Sequence, residues 1–168
     1  QAGAGTSHNM NANEVLANLA NAGLGGAYGR YDPVHPNDHV NQSQSTNDTI
    51  PTAIRLAALA KLPRLAGSLD AFADALAAFA DAEADTVKSG RTHLQDAVPT
   101  TLGREFGAYA WTIREQVVRL RDGALPLGRI GLGGSAAGTG LNTPEGYPEA
   151  AAAELTRLTG EAIDPHPD

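Results

Sequence analysis

The fold class is predicted mainly by residues 47–88, NDTIPTAIRLAALAKLPRLAGSLDAFADALAAFADAEADTVK. Helix-capping residues, Thr46, Asn47 and Asp48, lie at the start of this stretch, and Pro51 suits a first helical turn. Apolar side chains then recur with steps of 3, 4, 3, 4 and 3 at Leu62, Leu65, Leu69, Phe72, Leu76 and Phe79. This heptad spacing predicts one long helix ending near Lys88, which Pro63 kinks or divides.

A second apolar seam follows Pro99 and ends near Gly123. It consists of Leu102, Phe106, Tyr109, Ile113, Val117 and Leu120. One pair of helices cannot cover both seams, since the first helix alone would be roughly 60 Å long. The sequence therefore predicts an all-α fold, a bundle of long helices completed by several subunits.

Shorter elements flank these seams. Residues 9–22 predict a helix with Asn9 or Asn11 as its cap, and residues 23–37, rich in glycine and proline, predict a loop at a domain junction. Residues 131–140 are glycine-rich but have no lysine after them, which favours a tight turn over a phosphate loop. A last helix is expected to end at Gly160.

Composition excludes several classes of function. The net charge is −7 and only two residues are lysine, so nucleic acid is not an expected partner. Charges interrupt every apolar stretch before about 20 residues, so no membrane span is expected. Cysteine is absent, no leader pattern opens the chain, and the cytoplasm is the default localisation. Because the chain begins with Gln1 and its tail stops without a terminating element, we expect it to be part of a longer protein.

Four polar clusters lie at the ends of predicted helices. They span residues 3–11, 35–48, 90–96 and 133–142. Each offers hydroxyls, amides or free backbone N–H groups, which together suit a small dicarboxylate. For any one residue, simple helix capping is the plainer explanation.

Histidines raise a separate question. His35 and His39 flank Asp38 and imitate a metal site, but Pro36 prevents a helix from placing both rings on one face, so no metal is expected. His93, beside Thr92, is from its own surroundings equally a structural or a functional histidine.

Taken together, the clusters resemble the aspartase and fumarase superfamily of lyases, in its class II fumarase and aspartate ammonia-lyase branch. The motifs that carry the resemblance are GTSHNMNANEVLAN, HPNDHVNQSQSTNDTIPTA, SGRTHLQDAVPTTLGREF and GGSAAGTGLNTPEGY, in this order. The resemblance implies an all-helical homotetramer whose active sites combine motifs from three subunits. It also implies that residues 1–42 end an N-terminal domain and residues 43–168 begin the central bundle.

Site residues follow from the resemblance position by position. Those implied to bind the substrate's carboxylates are Thr6, Ser7, Ser45, Thr46, Asn47, Thr92 and His93, with His93 as the catalytic candidate. A second anion site is implied at His35, Asn37 and Asp38. No cofactor is expected.

The reaction implied is elimination of ammonia from L-aspartate to give fumarate. Ala4 and the segments QSTND, QDAVP and LNTPEGY resemble aspartases, whereas HPND resembles fumarases, so fumarate hydratase is the alternative. The family's serine loop, G-S-x-x-M-P-x-K-x-N, is missing here, because the single methionine is Met10 and no lysine follows it within reach. A third possibility is a non-catalytic helical assembly module, as in some lens crystallins of this superfamily.

Overall fold

The computed structural model describes residues 3–167. Two compact units are present. The first contains the described chain up to Ala58 and again from Leu127 onward, and the second is Leu59–Pro126. Helices dominate, which confirms the all-α class. The assignment of residues 1–42 and 43–168 to two domains of a longer protein stays a prediction, and so does the tetramer.

Ten elements follow one another along residues 3–167. The helices are α1 (Thr6–Gly23), a short π-helix (Pro36–Val40), α2 (Thr46–Ala82), α3 (Leu102–Ala124), a 3-10 turn (Leu125–Gly128) and α4 (Tyr147–Thr159). The strands are β1 (Val87–Thr92), β2 (Gln95–Thr101), β3 (Arg129–Ile130) and β4 (Asp164–Pro165). β1 and β2 pair antiparallel, and β3 and β4 pair parallel.

α1 begins earlier than its sequence predicts. Its first residue is Thr6, preceded by Gly5 with φ of 86°, so the expectation that Asn9 or Asn11 caps it is wrong. A Cβ on Gly5 would lie 2.6 Å from Cγ1 of Ile50. The helix therefore starts where only glycine fits against α2, and Asn9 is left for a contact described below.

α2 is one helix of 37 residues that runs unbroken through Pro63, so the predicted division there is wrong. Leu59 and Ala66, on either side of Pro63, are both buried. The helix ends at Ala82 rather than near Lys88, because Val87 enters a strand instead.

The hairpin of β1 and β2 is not expected from the sequence. It pairs Val87 with Thr101 and Thr92 with Gln95, and it delays the start of α3 to Leu102. The side chain of Thr101 caps α3 by accepting from the N–H of Arg104 at 3.2 Å.

Small residues form the core of the second unit. Every seventh residue is buried on both long helices: Leu59, Ala66, Ala73 and Ala80 on α2, and Gly103, Ala110, Val117 and Ala124 on α3. The helices run antiparallel, since Asp74 pairs with Arg114 at 2.7 Å and Asp70 with Arg121 at 2.9 Å. Of the predicted apolar seam, Leu65, Phe72 and Phe79 remain 40–53 % exposed.

The expected loop after α1 is confirmed over residues 24–35, which form turns and irregular backbone, whereas Gly23 still belongs to α1 and residues 36–37 begin the π-helix. Asn21, fully buried, holds this loop by accepting from the N–H of Val34 and donating to its carbonyl, both at 2.8 Å. The expected last helix is also confirmed, with Gly160 at φ of 74° as its C-cap.

Candidate active site

The start of α2 is closed by a reciprocal pair of side-chain contacts. Ser45 Oγ accepts from the N–H of Asn47 at 3.2 Å, and Asp48 Oδ1 accepts from the N–H of Ser45 at 3.0 Å. This is a capping box with aspartate as its acid. The Ser45 hydroxyl therefore has a structural task, and its predicted contact with substrate stays a prediction.

The glycine-rich segment 131–140 is a turn, as expected, and it lies against the start of α2. Asp48 Oδ2 accepts from the N–H groups of Gly133 at 3.3 Å and Ser135 at 2.9 Å. The Asn47 side chain donates from Nδ2 to the carbonyl of Ala136 at 2.8 Å. Asp48 is only 3 % exposed, so one buried carboxylate joins two of the predicted motifs.

Asparagines join the start of α1 to the same region. Asn9 and Asn13 both donate to Oδ1 of Asn41, at 3.1 and 2.9 Å, and the Thr49 hydroxyl donates to Oδ1 of Asn9 at 3.3 Å. Thr6 and Ser7 lie exposed in the first turn of α1. The first unit thus connects the first, second and fourth predicted motifs.

The predicted second anion site lies at the π-helix. His35 caps it, with Nδ1 accepting from the N–H groups of Asn37 and Asp38, both at 3.3 Å. His39 lies within the helix and accepts from the N–H of His35 at 2.9 Å. Asn37 and Asp38 are exposed. Among residues 3–167, no group of three or more potential metal-binding side chains occurs.

Thr92 and His93 lie in the second unit, at the end of β1 and in the turn that follows. The turn consists of His93 and Leu94, with φ of 50° and 60°. Left-handed backbone at two successive residues is typical of tight hairpins but is usually occupied by asparagine or glycine. Such strain is more often found at functional sites than elsewhere.

The hairpin that carries His93 is fastened to α3 by a second carboxylate. Lys88 Nζ and the Tyr109 hydroxyl both donate to the carboxylate of Glu105. The hydrogen bonds from Lys88 and then Tyr109 lower the pKa of Glu105.

Three of the residues described in the two units are not singled out by the sequence. The sequence identifies Asp48 only as a helix-capping residue, because its partners Gly133 and Ser135 lie 85 or more positions further along the chain. Glu105 and Tyr147 belong to none of the predicted site residues. The pKa of the Tyr147 hydroxyl is raised. Burial is the largest cause and the charge of Asp48 adds to it, whereas a hydrogen bond with Gln44 acts in the opposite direction.

A cavity in the first unit has a volume of about 560 Å³. It lies beside the glycine-rich turn, and its polar lining includes Arg55, Arg129 and Glu149. None of the predicted substrate-binding residues lines it.

Comparison with known proteins defines the class. A family model described as a lyase matches residues 1–167, and the chain belongs to this lyase family. No helix within residues 3–167 is long and apolar enough to cross a membrane.

Two groups of curated relatives are similar to it. Fumarate hydratase class II of Neisseria meningitidis is 52 % identical over 161 residues, which cover 95 % of this chain and 35 % of that protein. Aspartate ammonia-lyase of Pseudomonas aeruginosa is 49 % identical over 169 residues, which cover 100 % of this chain and 36 % of that protein. The chain thus spans about a third of the length of these relatives.

A solved structure shows the same fold. The chain is similar to the fumarate lyase:delta crystallin of Brucella melitensis bound to cobalt, with a TM-score of 0.94 and 47 % identity. The match covers 100 % of this chain and 36 % of that one.

Proposed function

We propose that the full-length protein eliminates ammonia from L-aspartate to give fumarate. The observation that carries this proposal is the start of α2, where Asn47 is exposed yet fixed by its bond to Ala136, beside a fully satisfied capping box. A neutral donor held in this way is ready to bind a carboxylate without reorganising. The chain's place in the lyase family and its aspartate ammonia-lyase relatives support the choice of reaction.

The chemistry explains why neutral donors are useful. A base removes a proton from C3 of aspartate, and the electron pair moves into the neighbouring carboxylate as an aci-carboxylate with two negative charges. This pair then returns to form the C2–C3 double bond while ammonia leaves C2. Donors aimed at the aci-carboxylate oxygens stabilise this intermediate more than the substrate, so they increase the rate.

We assign these donors to the predicted residues. Asn47, with Thr46 and Ser45, would bind one carboxylate, and Thr6 and Ser7 would serve the same ligand from the start of α1. As the resemblance implies, Thr92 and His93 would contribute from the hairpin of a different subunit, with His93 as the catalytic histidine. The base would come from the family's serine loop, whose signature this chain does not contain.

Fumarate hydratase is the second candidate. It is favoured by the segment HPND at residues 35–38 and by the 52 % identity to the Neisseria meningitidis enzyme. The intermediate and its donors would be the same, with water rather than ammonia leaving from malate.

The direct test is to incubate the full-length protein with L-aspartate or L-malate and follow fumarate by its ultraviolet absorbance. We expect fumarate from L-aspartate, together with one ammonia per fumarate. Formation from L-malate alone would establish the second candidate. A folded protein that forms fumarate from neither would contradict both and support the assembly module.

Asn47→Ala tests the donor that carries the proposal. We expect kcat to fall about a hundredfold, as when one fixed donor to a developing oxyanion is removed. The bond to Ala136 is also lost, which costs about 0.5–1.5 kcal/mol of unfolding free energy. Steady-state kinetics and urea unfolding measure the two effects. A large loss of stability with unchanged kcat would mean that Asn47 is only structural.

A further inference from the structure

Asp48, in the first unit, accepts three backbone hydrogen bonds. One carboxylate oxygen accepts from the N–H of Ser45, and the other accepts from the N–H groups of Gly133 and Ser135. A capping box needs only the first of these contacts. The two contacts to the glycine-rich turn are additional, and they are made by a residue that is 3 % exposed.

The residues on either side of Asp48 belong to the proposed site. Asn47, its immediate neighbour, donates to Ala136 in the same turn. Ser45 completes the capping box. The start of α2 and the turn are therefore held together by three hydrogen bonds: two to Asp48 and one from Asn47.

We propose that Asp48 is a positioning residue: through Ser45, Gly133 and Ser135 it fixes the direction of the Asn47 side chain toward the substrate carboxylate. This inference rests on the proposed function. Asp48 does not itself touch the substrate, since its two oxygens are both engaged by backbone N–H groups. A displacement of about 1 Å in a donor is enough to lose most of its effect on a transition state.

Asn is the sharpest replacement, because it has the shape of Asp but accepts at only one side-chain atom. In Asp48→Asn, the amide NH₂ group must face either Ser45 N–H or the N–H groups of the turn. One side of the junction is thereby released while the volume is unchanged. We expect kcat to fall about tenfold to a hundredfold and KM to change less than about threefold.

Two inhibitors separate positioning from simple stability. The nitronate of 3-nitropropanoate imitates the aci-carboxylate, and succinate imitates the substrate. We expect Asp48→Asn to weaken nitronate binding about tenfold or more and succinate binding less than about threefold. Equal losses for both ligands, or no loss, would overturn the inference.

Matched variants complete the design. Thr101→Ala removes a side-chain N-cap from α3 that serves only its own helix, and we expect it to lower the melting temperature without changing the ratio of the two inhibitor affinities. Gly133→Ala disturbs the junction from the turn, since its Cβ would lie 2.6 Å from Cγ of Pro148 and its φ is 99°. If Asp48→Asn does not fold, Gly133→Ala is used in its place to measure the ratio of the two inhibitor affinities. A Gly133→Ala protein with the wild-type inhibitor ratio would then contradict the inference.

The proposed function can fail separately. If the wild-type full-length protein binds neither inhibitor and forms no fumarate, the function is wrong, and the role of Asp48 in it is withdrawn with it. If the wild type is active and Asp48→Asn keeps full kcat, only the positioning role is wrong.

Discussion

His93 and Leu94 show how much a single pair of residues can indicate. Both have positive φ, which is uncommon for residues other than glycine; histidine adopts it more often than most residues, but leucine does not. Leu94 is 93 % exposed, so its own side chain gains nothing from the described chain. The turn therefore exposes two bulky side chains at a cost in backbone strain, which is reasonable if His93 is needed where it is.

Glycine substitutions in this turn separate backbone strain from the imidazole. His93→Gly relieves the strain at φ of 50° and removes the ring, so we expect unchanged or slightly higher stability with a loss of turnover. Leu94→Gly relieves the neighbouring residue and keeps the imidazole, and we expect it to retain turnover. Thermal melts and fumarate assays on the two full-length variants make the comparison. Wild-type turnover in both variants would show that His93 has no catalytic role.

At the scale of elements, the packing of α2 on α3 depends on small side chains. A Cβ on Gly103 would lie 2.5 Å from the carbonyl oxygen of Ala80 and 2.7 Å from Cα of Ala84. These are backbone atoms, which cannot rotate away. The close approach of the chain at this point therefore requires glycine at position 103.

Two Gly→Ala substitutions are expected to act in opposite directions. Gly103→Ala should lower the free energy of unfolding by about 1–3 kcal/mol, because the helices must separate. Gly67, inside α2, has no atom within 4 Å of the place that a Cβ would take. Gly67→Ala should therefore raise the free energy of unfolding by about 0.5–1 kcal/mol. Urea unfolding of both full-length variants tests this. Stabilisation by Gly103→Ala would contradict the described contact.

The attachment of the hairpin to α3 is expected to depend on pH. Lys88 and Tyr109 lower the pKa of Glu105, so the ionised form stabilises the fold above the ordinary value of 4.5. This stability is lost as the pH falls from there through the lowered pKa. Glu105→Gln should therefore be less stable than wild type at neutral pH, with a difference that shrinks below pH 4.5.

Urea unfolding between about pH 3 and 7 measures this difference, within the range where carboxyl groups titrate. Glu14→Gln, which removes an exposed carboxyl on α1, is the matched control. A difference for Glu105→Gln that stays constant over the whole range would show that the ion pair contributes nothing.

Helices are easier to foresee from this sequence than their contacts. Heptad spacing is enough for α2 and α3, but it selects the larger residues, whereas the buried stripe is made of Ala66, Ala73, Ala80 and their counterparts. Alanine is common on every face of these helices, so its period carries little signal. The hairpin is not predicted because Pro99 suggests the start of a helix. The role of Asp48 is not predicted because its partners lie far along the chain.

For the molecule as a whole, α2 carries a row of large apolar side chains that the described chain does not cover completely. Leu65, Phe72 and Phe79 lie seven residues apart and are each 40 % exposed or more. A folded chain rarely leaves such a row in water. We expect the assembled protein to bury it between subunits, as the predicted homotetramer requires.

A charge in this row tests the expected assembly. Phe72→Glu should lower the oligomeric mass measured by light scattering and reduce activity, because a buried unpaired carboxylate is strongly unfavourable. Ala60→Glu places the same charge at another exposed position, about 120° around the helix at roughly 100° per residue, and should have less effect. An unchanged mass for Phe72→Glu would place the row outside any interface.

The buried amide of Asn21 also has a chemical consequence over time. It holds Val34 by donating and accepting at once, a combination that a carboxylate cannot reproduce. Spontaneous deamidation would exchange one nitrogen for oxygen, with almost no change of shape, and would set that oxygen against a carbonyl. The ageing of this side chain would thus release residues 24–35 from α1, and the full burial of Asn21 is what protects the loop from such damage.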